Sequence, residues 1–312
     1  MKDYPYNYTI IIPHKNIPSL LQRCIKSIPQ RKDIQIIVVD DGSDDVEPLH
    51  AIEQEYRQVT NVYTSENKGA GHARNIGLQY ACGKWILFAD ADDFFNEGFL
   101  SVLDKHIDSD CELVFFNICS ADSSTLRTTY KRDTTMDLFE KEQDENILRY
   151  QARAVWGKMF LHELVERHGI RFDEVAASND VMFSGMSGLY ARKVLFDRQT
   201  IYCNTVRAGS ISTTMTFENS MARIDVAMRY NTFLKQHQVP CRYWLNTFSP
   251  IGDLLRVFLR YYCFYLKTYV KIIPLKRIGR ELLQSFSHII IRIFYMEKDY
   301  VRRKQRIKTD RK

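Results

Sequence analysis

Three carboxylates fall within four residues, Asp90, Asp92 and Asp93, in the word FADADDFF (88–95), directly behind the apolar run Trp85–Ala89. Charged side chains rarely sit so close to a buried strand unless they are paired or bind metal. A hard divalent cation takes carboxylate oxygens and keeps positions open for phosphate. The spacing lets Asp92 bind such a cation while Asp90 faces a ribose or a metal-bound water. Taken alone, the same word could be an acidic turn capping the next helix, because Asp-x-Asp is short and common. A second acidic word, VVDDGSDD (38–45), ends another apolar run with Asp40 and Asp41 and favours the metal reading. A carboxylate at a strand end can accept the imide N–H of uracil or a ribose hydroxyl, and it can also close an Asx turn. Neither G-x-G-x-x-G nor G-x-x-x-x-G-K-[ST] occurs, which argues against a dinucleotide fold and a P-loop.

The elements that must carry these groups are legible from periodicity. Tyr8–Ile12 is a β-branched run ended by Pro13, as a buried strand would be. Ile17, Leu20, Leu21, Cys24, Ile25 and Ile28 then mark one helical face, with Asn16 placed to cap it and Pro18 in its first turn. Ile34–Val39 predicts a second strand, with a helix near Val46–Gln58 and a short strand near Asn61–Tyr63 after it. A helix over Gly71–Cys82, a strand over Trp85–Ala89 and another over Leu113–Ile118 complete the series. Strands alternating with helices imply an open, mostly parallel α/β sheet with flanking helices, whose ligands sit beyond the carboxyl ends of the strands. The polar words Pro13-His14, Asp40-Asp41 and Asp90–Asp93 stand at such ends. From about Thr125 to Pro250 the pattern is less regular and mostly helical.

The chain has 312 residues, enough for one large domain with additions. Its net charge of +6 conceals an asymmetry of −5 over residues 1–250 and +11 over 251–312, which implies two regions with different jobs. Seven scattered cysteines without a Cys-x-x-Cys pair read as small buried hydrophobes in a reducing cytosol. The opening MKDYPYNYTIII is not the pattern of a signal peptide, and no run of about 18 uncharged apolar residues predicts a spanning helix.

The ordered words together resemble a bacterial family 2 inverting glycosyltransferase of the GT-A fold. IIIPHKN (10–16) is similar to the family's opening word, VVDDGSDD to its second motif, NKGAGHARNIGL (67–78) to the segment before the metal motif, and GKWILFADADD (83–93) to the metal motif. VWGKMF (155–160) and RFDEVAASNDVMF (171–183) resemble its acceptor-side segments, and VRAGSIS (206–212) a word that comes after them. The resemblance covers roughly residues 8–215, which implies a catalytic domain over 1–215 and a helical, basic C-terminal extension over 216–312.

It also implies roles. Pro13 and Asp41 contact uracil, His14 stands beside them, and Asp40 assists at the ribose. Lys68, Gly69 and Arg74 lie along the nucleotide, Asp90 and Ala91 face the ribose, and Asp92 ligates Mn or Mg. Asp180 is the catalytic base, with Trp156, Lys158 and Asn179 on the acceptor side. The implied reaction moves a hexosyl or N-acetylhexosaminyl group from a UDP-sugar to a hydroxyl of a glycan or lipid-linked acceptor, with inversion, in cell-surface polysaccharide synthesis. A sugar hydroxyl needs a general base, and a carboxylate is a sensible one. Asp180 could instead be only an N-cap for the helix after it. Two departures stand out: His14 and Lys15 replace the family's usual Thr and Tyr, and Asn179 replaces its usual Glu.

Other classes fit less well. A nucleotidyltransferase would open with a Gly-rich basic loop, which PHKNIPSL (13–20) is not, and a non-catalytic binding module would be expected to lack Asp92 or Asp180. A nucleic-acid partner is not expected, because the C-terminal aromatics lie in apolar runs and form no stacking platform. Over 254–273, Arg256, Arg260, Lys267 and Lys271 share a face about 60° wide at 100° per residue. A second candidate helix, 282–296, carries Gln284, His288 and Arg292 in a stripe, and seven bases lie beyond it between Arg302 and Lys312. This pattern predicts peripheral docking of a cytoplasmic enzyme on the anionic inner face of the cell membrane. The same helices could alternatively pack on the catalytic domain.

Overall fold

A computed structural model of the chain describes residues 4–128, 134–207 and 216–246, all within one compact unit. The order begins β1 (Tyr6–His14), α1 (Pro18–Lys26), β2 (Ile34–Asp41), α2 (Glu47–Glu55), β3 (Val59–Thr64), α3 (Ala70–Tyr80) and β4 (Gly83–Phe88). It continues through β5 (Phe94–Phe95), α4 (Phe99–Leu103), β6 (Leu113–Asp122), α5 (Thr134–Glu142), α6 (Glu145–Gln151) and β7 (Lys158–Leu161). It ends with α7 (His162–Arg167), α8 (Val181–Tyr190), β8 (Val194–Val206) and α9 (Phe217–Gln236).

Among the described residues the strands form one open sheet in the order β3-β2-β1-β4-β7-β6-β8-β5. Alternation along β1 sorts its side chains between two layers. Tyr8, Ile10 and Ile12 join Leu21, Cys24 and Ile25 of α1 in one core, while Ile11 joins Leu78, Phe88 and Phe160 in the other. Both faces of the strand are buried, which is why its sequence reads as a continuous apolar run.

β1, β2, β3 and β4 pair in parallel, as the alternating pattern predicts. The second half departs from it. β7 inserts between β4 and β6 and runs antiparallel to both, and β5 runs antiparallel to β8. A four-residue strand leaves too short a period to be read from sequence.

Asn16 does not cap α1. It adopts φ 54°, its amide donates to Ser43 Oγ at 2.8 Å, and its side chain exchanges hydrogen bonds with Asp44. It ties the β1 end to the β2 end, and α1 starts at Pro18 without a side-chain cap. The cysteines only partly match expectation: Cys24, Cys111 and Cys203 are buried, whereas Cys82 and Cys241 are exposed.

Beyond β8, α9 is capped by Thr216 and packs Val226, Tyr230 and Leu234 against Ile147, Tyr150 and Val181. The Tyr230 hydroxyl donates to Tyr150 O at 2.8 Å. No helix among the described residues is long and apolar enough to cross a membrane. The basic C-terminal segments, and most of VRAGSIS, lie outside the described residues.

Candidate active site

The parallel register sets His14 at the end of β1 beside Asp40 at the end of β2. His14 Nε2 accepts the Ile17 amide at 3.2 Å, so the proton sits on Nδ1 and is donated to Asp40 Oδ1 at 2.8 Å. Asp40 also accepts the Ser43 hydroxyl and, on Oδ2, the Ser43 amide. Burial alone would raise its pKa, but the Ser43 and His14 donors hold it below the ordinary carboxylate range. With side chains 0% and 2% exposed, this pair is buried at the strand ends. Their polar atoms bond to each other and to the adjoining turn.

Asp41 works differently. Its two oxygens accept the amides of Lys68 and Gly69 at 3.1 and 2.7 Å, fastening the loop that opens α3. Gly69 has φ 92°, which suits only glycine. Lys68 is exposed and ion-paired with Glu66, and Pro13 is partly exposed at the tip of β1.

The second acidic word forms a tight turn between β4 and β5, closed by the Asp93 amide on Asp90 O at 3.0 Å. Its three carboxylates have separate fates. Asp93 is fully buried and accepts the Tyr202 hydroxyl at 2.7 Å, the Thr205 amide at 2.6 Å and the Asn204 amide group. Burial, and then the nearby charge of Asp90, push its pKa up to about 8. Asp93 is the anchor that ties the turn to β8. Asp90 receives the Arg74 guanidinium, and its amide donates to the Tyr202 oxygen at 2.9 Å. Asp92 points to the partly exposed side, and its Oδ2 accepts Arg207 Nε at 2.9 Å. Its carbonyl accepts Arg23 and the Thr205 hydroxyl. Ala91 is buried.

Asp180 stands at the N-cap position of α8, yet its carboxylate makes no capping hydrogen bond. The bland reading of this residue therefore fails on geometry. Loss of solvation raises its pKa, opposed by the charges of Arg74 and Lys158. The loop that carries it is laced to α3: Asn75 exchanges hydrogen bonds with the Phe172 backbone, His72 meets Glu174 at 2.9 Å, and Arg74 Nη1 donates to Asn179 Oδ1 at 2.8 Å. A Cβ on Gly71 would lie 2.1 Å from Asp173 O, so only glycine permits this approach. Arg74 thus joins Asp90 and Asn179 with one guanidinium, above the face of Phe172. Lys158 is buried, donates to Ala152 O and lies over the Phe115 ring. Its charge opposes the rise in the Asp180 pKa. Trp156 is half-buried and stacks on Tyr202, bracing the acidic turn from behind.

A divalent metal fits this site only as one completed by a substrate. Among the described residues no three His, Cys, Asp or Glu side chains converge to hold an ion. Asp92 nevertheless offers a partly exposed carboxylate that already carries a cation, the Arg207 guanidinium. One carboxylate with phosphate and water oxygens is how Mg and Mn are commonly held. Sequence reasoning missed Arg23, Tyr202, Thr205 and Arg207, and it gave Asp93 no separate role. Most of them act through backbone groups or from a distant strand, and neither leaves a local signal.

A model described as Glycosyl transferase family 2 matches residues 9–169. The chain is 27% identical over 262 residues to the glycosyltransferase GlyA of Streptococcus pneumoniae, covering 79% of this chain and 37% of that protein. It is 31% identical over 186 residues to the minor teichoic acid biosynthesis protein GgaB of Bacillus subtilis, covering 55% of this chain and 20% of that one. The chain thus spans well under two thirds of the length of these relatives. Among solved structures, S. aureus TarS 1–349 in complex with UDP-GlcNAc matches with a TM-score of 0.60 at 18% identity, covering 86% of this chain and 77% of TarS. That likeness shows a GT-A-type fold.

Proposed function

The chain belongs to glycosyl transferase family 2, and on that premise we propose that it transfers a sugar from a UDP-sugar to a hydroxyl of a glycan or lipid-linked acceptor, with inversion. The observation that carries the reading is Asp180: a carboxylate whose pKa is raised by loss of solvation and which makes no capping bond, joined through Asn179 and Arg74 to Asp90 of the acidic turn. A base and an acidic turn held by one guanidinium are what a single displacement needs.

The acceptor oxygen attacks the anomeric carbon, its proton passes to Asp180, and the bond to the diphosphate oxygen breaks from the opposite side. A carboxylate whose pKa lies above the ordinary range is a stronger base, which suits a hydroxyl nucleophile. Asp41, with lone-pair directions left beyond its two loop bonds, and Pro13 face the base of the nucleotide. Lys68 and Gly69 run along its backbone, and Asp90 and Ala91 border the ribose. Asp92 would hold a Mn or Mg ion, which when bound would neutralise charge on the diphosphate as a Lewis acid. Trp156, Lys158 and Asn179 shape the acceptor side.

UDP-GlcNAc in TarS and the teichoic acid role in the name of GgaB support a UDP donor and a cell-surface polymer as acceptor. UDP release from a panel of nucleotide sugars, with Mn or Mg and with excess chelator, tests the reading. A requirement for GDP- or dTDP-sugars would remove the uracil assignment, and full turnover in chelator would remove the metal from Asp92. Residues 251–312 are proposed, on their sequence pattern, to dock the enzyme on an anionic membrane. Deleting them should release it from anionic liposomes at low salt, and a full-length chain that never binds such liposomes would end this part of the proposal.

A further inference from the structure

Two arginines reach Asp92 and hold different parts of it. Arg23 binds its carbonyl, donates to Ser123 O at 2.8 Å and lies 5.7 Å from the Phe94 ring centroid, so it belongs to the framework. Among the described residues Arg207 binds the carboxylate oxygen Oδ2, from the position directly after β8. Its side chain is 39% exposed, against 6% for the Arg74 side chain that grips Asp90. Of the two ion pairs in the acidic turn, the one on Asp92 can open without disturbing the core.

We propose that Arg207 is a displaceable counter-cation on Asp92 that makes metal capture depend on the nucleotide diphosphate. The inference rests on the assignment of the metal to Asp92. A divalent ion on the Asp92 carboxylate and a guanidinium 2.9 Å from its Oδ2 repel each other and compete for the same negative charge. The ion alone therefore binds against the Arg207 charge or displaces it into water with no compensating partner. A diphosphate arriving with the ion brings excess negative charge, which offers the released guanidinium a new bidentate partner. Metal and nucleotide then bind with positive coupling. By linkage each strengthens the other by the same factor, and Arg207 sets the size of that factor.

The test is Mn2+ binding to the full-length protein, read by electron paramagnetic resonance without any sugar acceptor, in the absence and presence of UDP. In the wild type, Mn2+ alone should bind weakly and UDP should tighten it strongly. Arg207→Gln should tighten binding of Mn2+ alone by about tenfold and shrink the gain from UDP by a similar factor, a normal size for coupling between sites. Arg207→Lys, which keeps the cation, should stay near the wild type. Asp92→Asn should abolish the bound-metal signal in both backgrounds. If Asp92→Asn removes the signal but Arg207→Gln leaves both affinities unchanged, the displaceable cation is refuted and the metal assignment stands. If Mn2+ binding survives Asp92→Asn, the metal assignment falls and this inference falls with it.

Discussion

In the Asp90–Asp93 turn the protein meets each acidic side chain with a donor from another element: Arg74 from α3 on Asp90, Arg207 on Asp92, and Tyr202 and Thr205 from β8 on Asp93. In the 172–180 loop the treatment is opposite at the residue that matters. Asp173 is held by Arg229, Asn179 by Arg74 and Glu174 by His72, while Asp180 among them makes no capping bond. The first region spends Asp90 and Asp93 on a fixed shape and meets Asp92 with a more exposed cation. The second fixes everything around one carboxylate and leaves that one basic.

Glu112 shows that burial is not what separates the two. Burial alone would raise its pKa, but hydrogen bonds from Arg192 and Arg167 bring it down to about 2. Asp180 is shifted the other way because the charges of Arg74 and Lys158 act at a distance and donate no hydrogen bond to it. Partners decide the direction.

The largest expected effect comes from removing the basicity itself. Asp180→Asn keeps the shape and deletes the proton acceptor, so transfer should fall by roughly 100-fold or more, the usual scale for a lost general base. UDP-sugar binding, measured by calorimetry, should survive. Parallel loss of binding and turnover would make Asp180 a structural residue and erase the contrast with the acidic turn.

A middle-sized effect is expected where the two regions touch. Gly71→Ala puts a methyl 2.1 Å from Asp173 O, so the base loop must move off α3. A shift of about 1 Å in a reacting group can cost on the order of 100-fold. Part of that should be relieved by loop adjustment, and a fall of about tenfold in kcat with little change in donor KM is the expected result. Unchanged kcat would mean that the contact does not set the position of Asp180.

Much of this arrangement was legible in the sequence, and the boundary of what was legible is physical. β1, β2 and β4 announce themselves because strands buried on both faces need unbroken apolar runs, and the acidic turn because carboxylates directly behind such a run need partners. The bond between His14 and Asp40 was not legible, since it depends on the register that pairs them across two strands. Asn16 mimicked a helix cap because its side chain suits several local turns, and only the position of Ser43 and Asp44 decides between them. Arg23 was invisible for a different reason: its partners are carbonyl oxygens, which every residue carries.

The smallest effect is the most diagnostic, because it changes charge beside Asp180 without touching it. Asn179 accepts from Arg74 as a neutral amide, which leaves that guanidinium's charge to Asp90 and Asp180. Asn179→Glu would put a second carboxylate next to the base. A like charge nearby disfavours the ionised form, so the Asp180 pKa should rise further. The base works only when deprotonated, so activity falls as pH drops through that pKa, and the acid limb of kcat/KM should move to higher pH. The new carboxylate also pairs with Arg74, which limits the change to about half to one pH unit. Well above the limb, kcat should be equal to or slightly above that of the wild type, because a stronger base accepts the proton more readily. A limb that moved to lower pH, or stayed in place while kcat collapsed, would show that Asn179 serves the shape of the loop and that Asp180 is not the group that titrates.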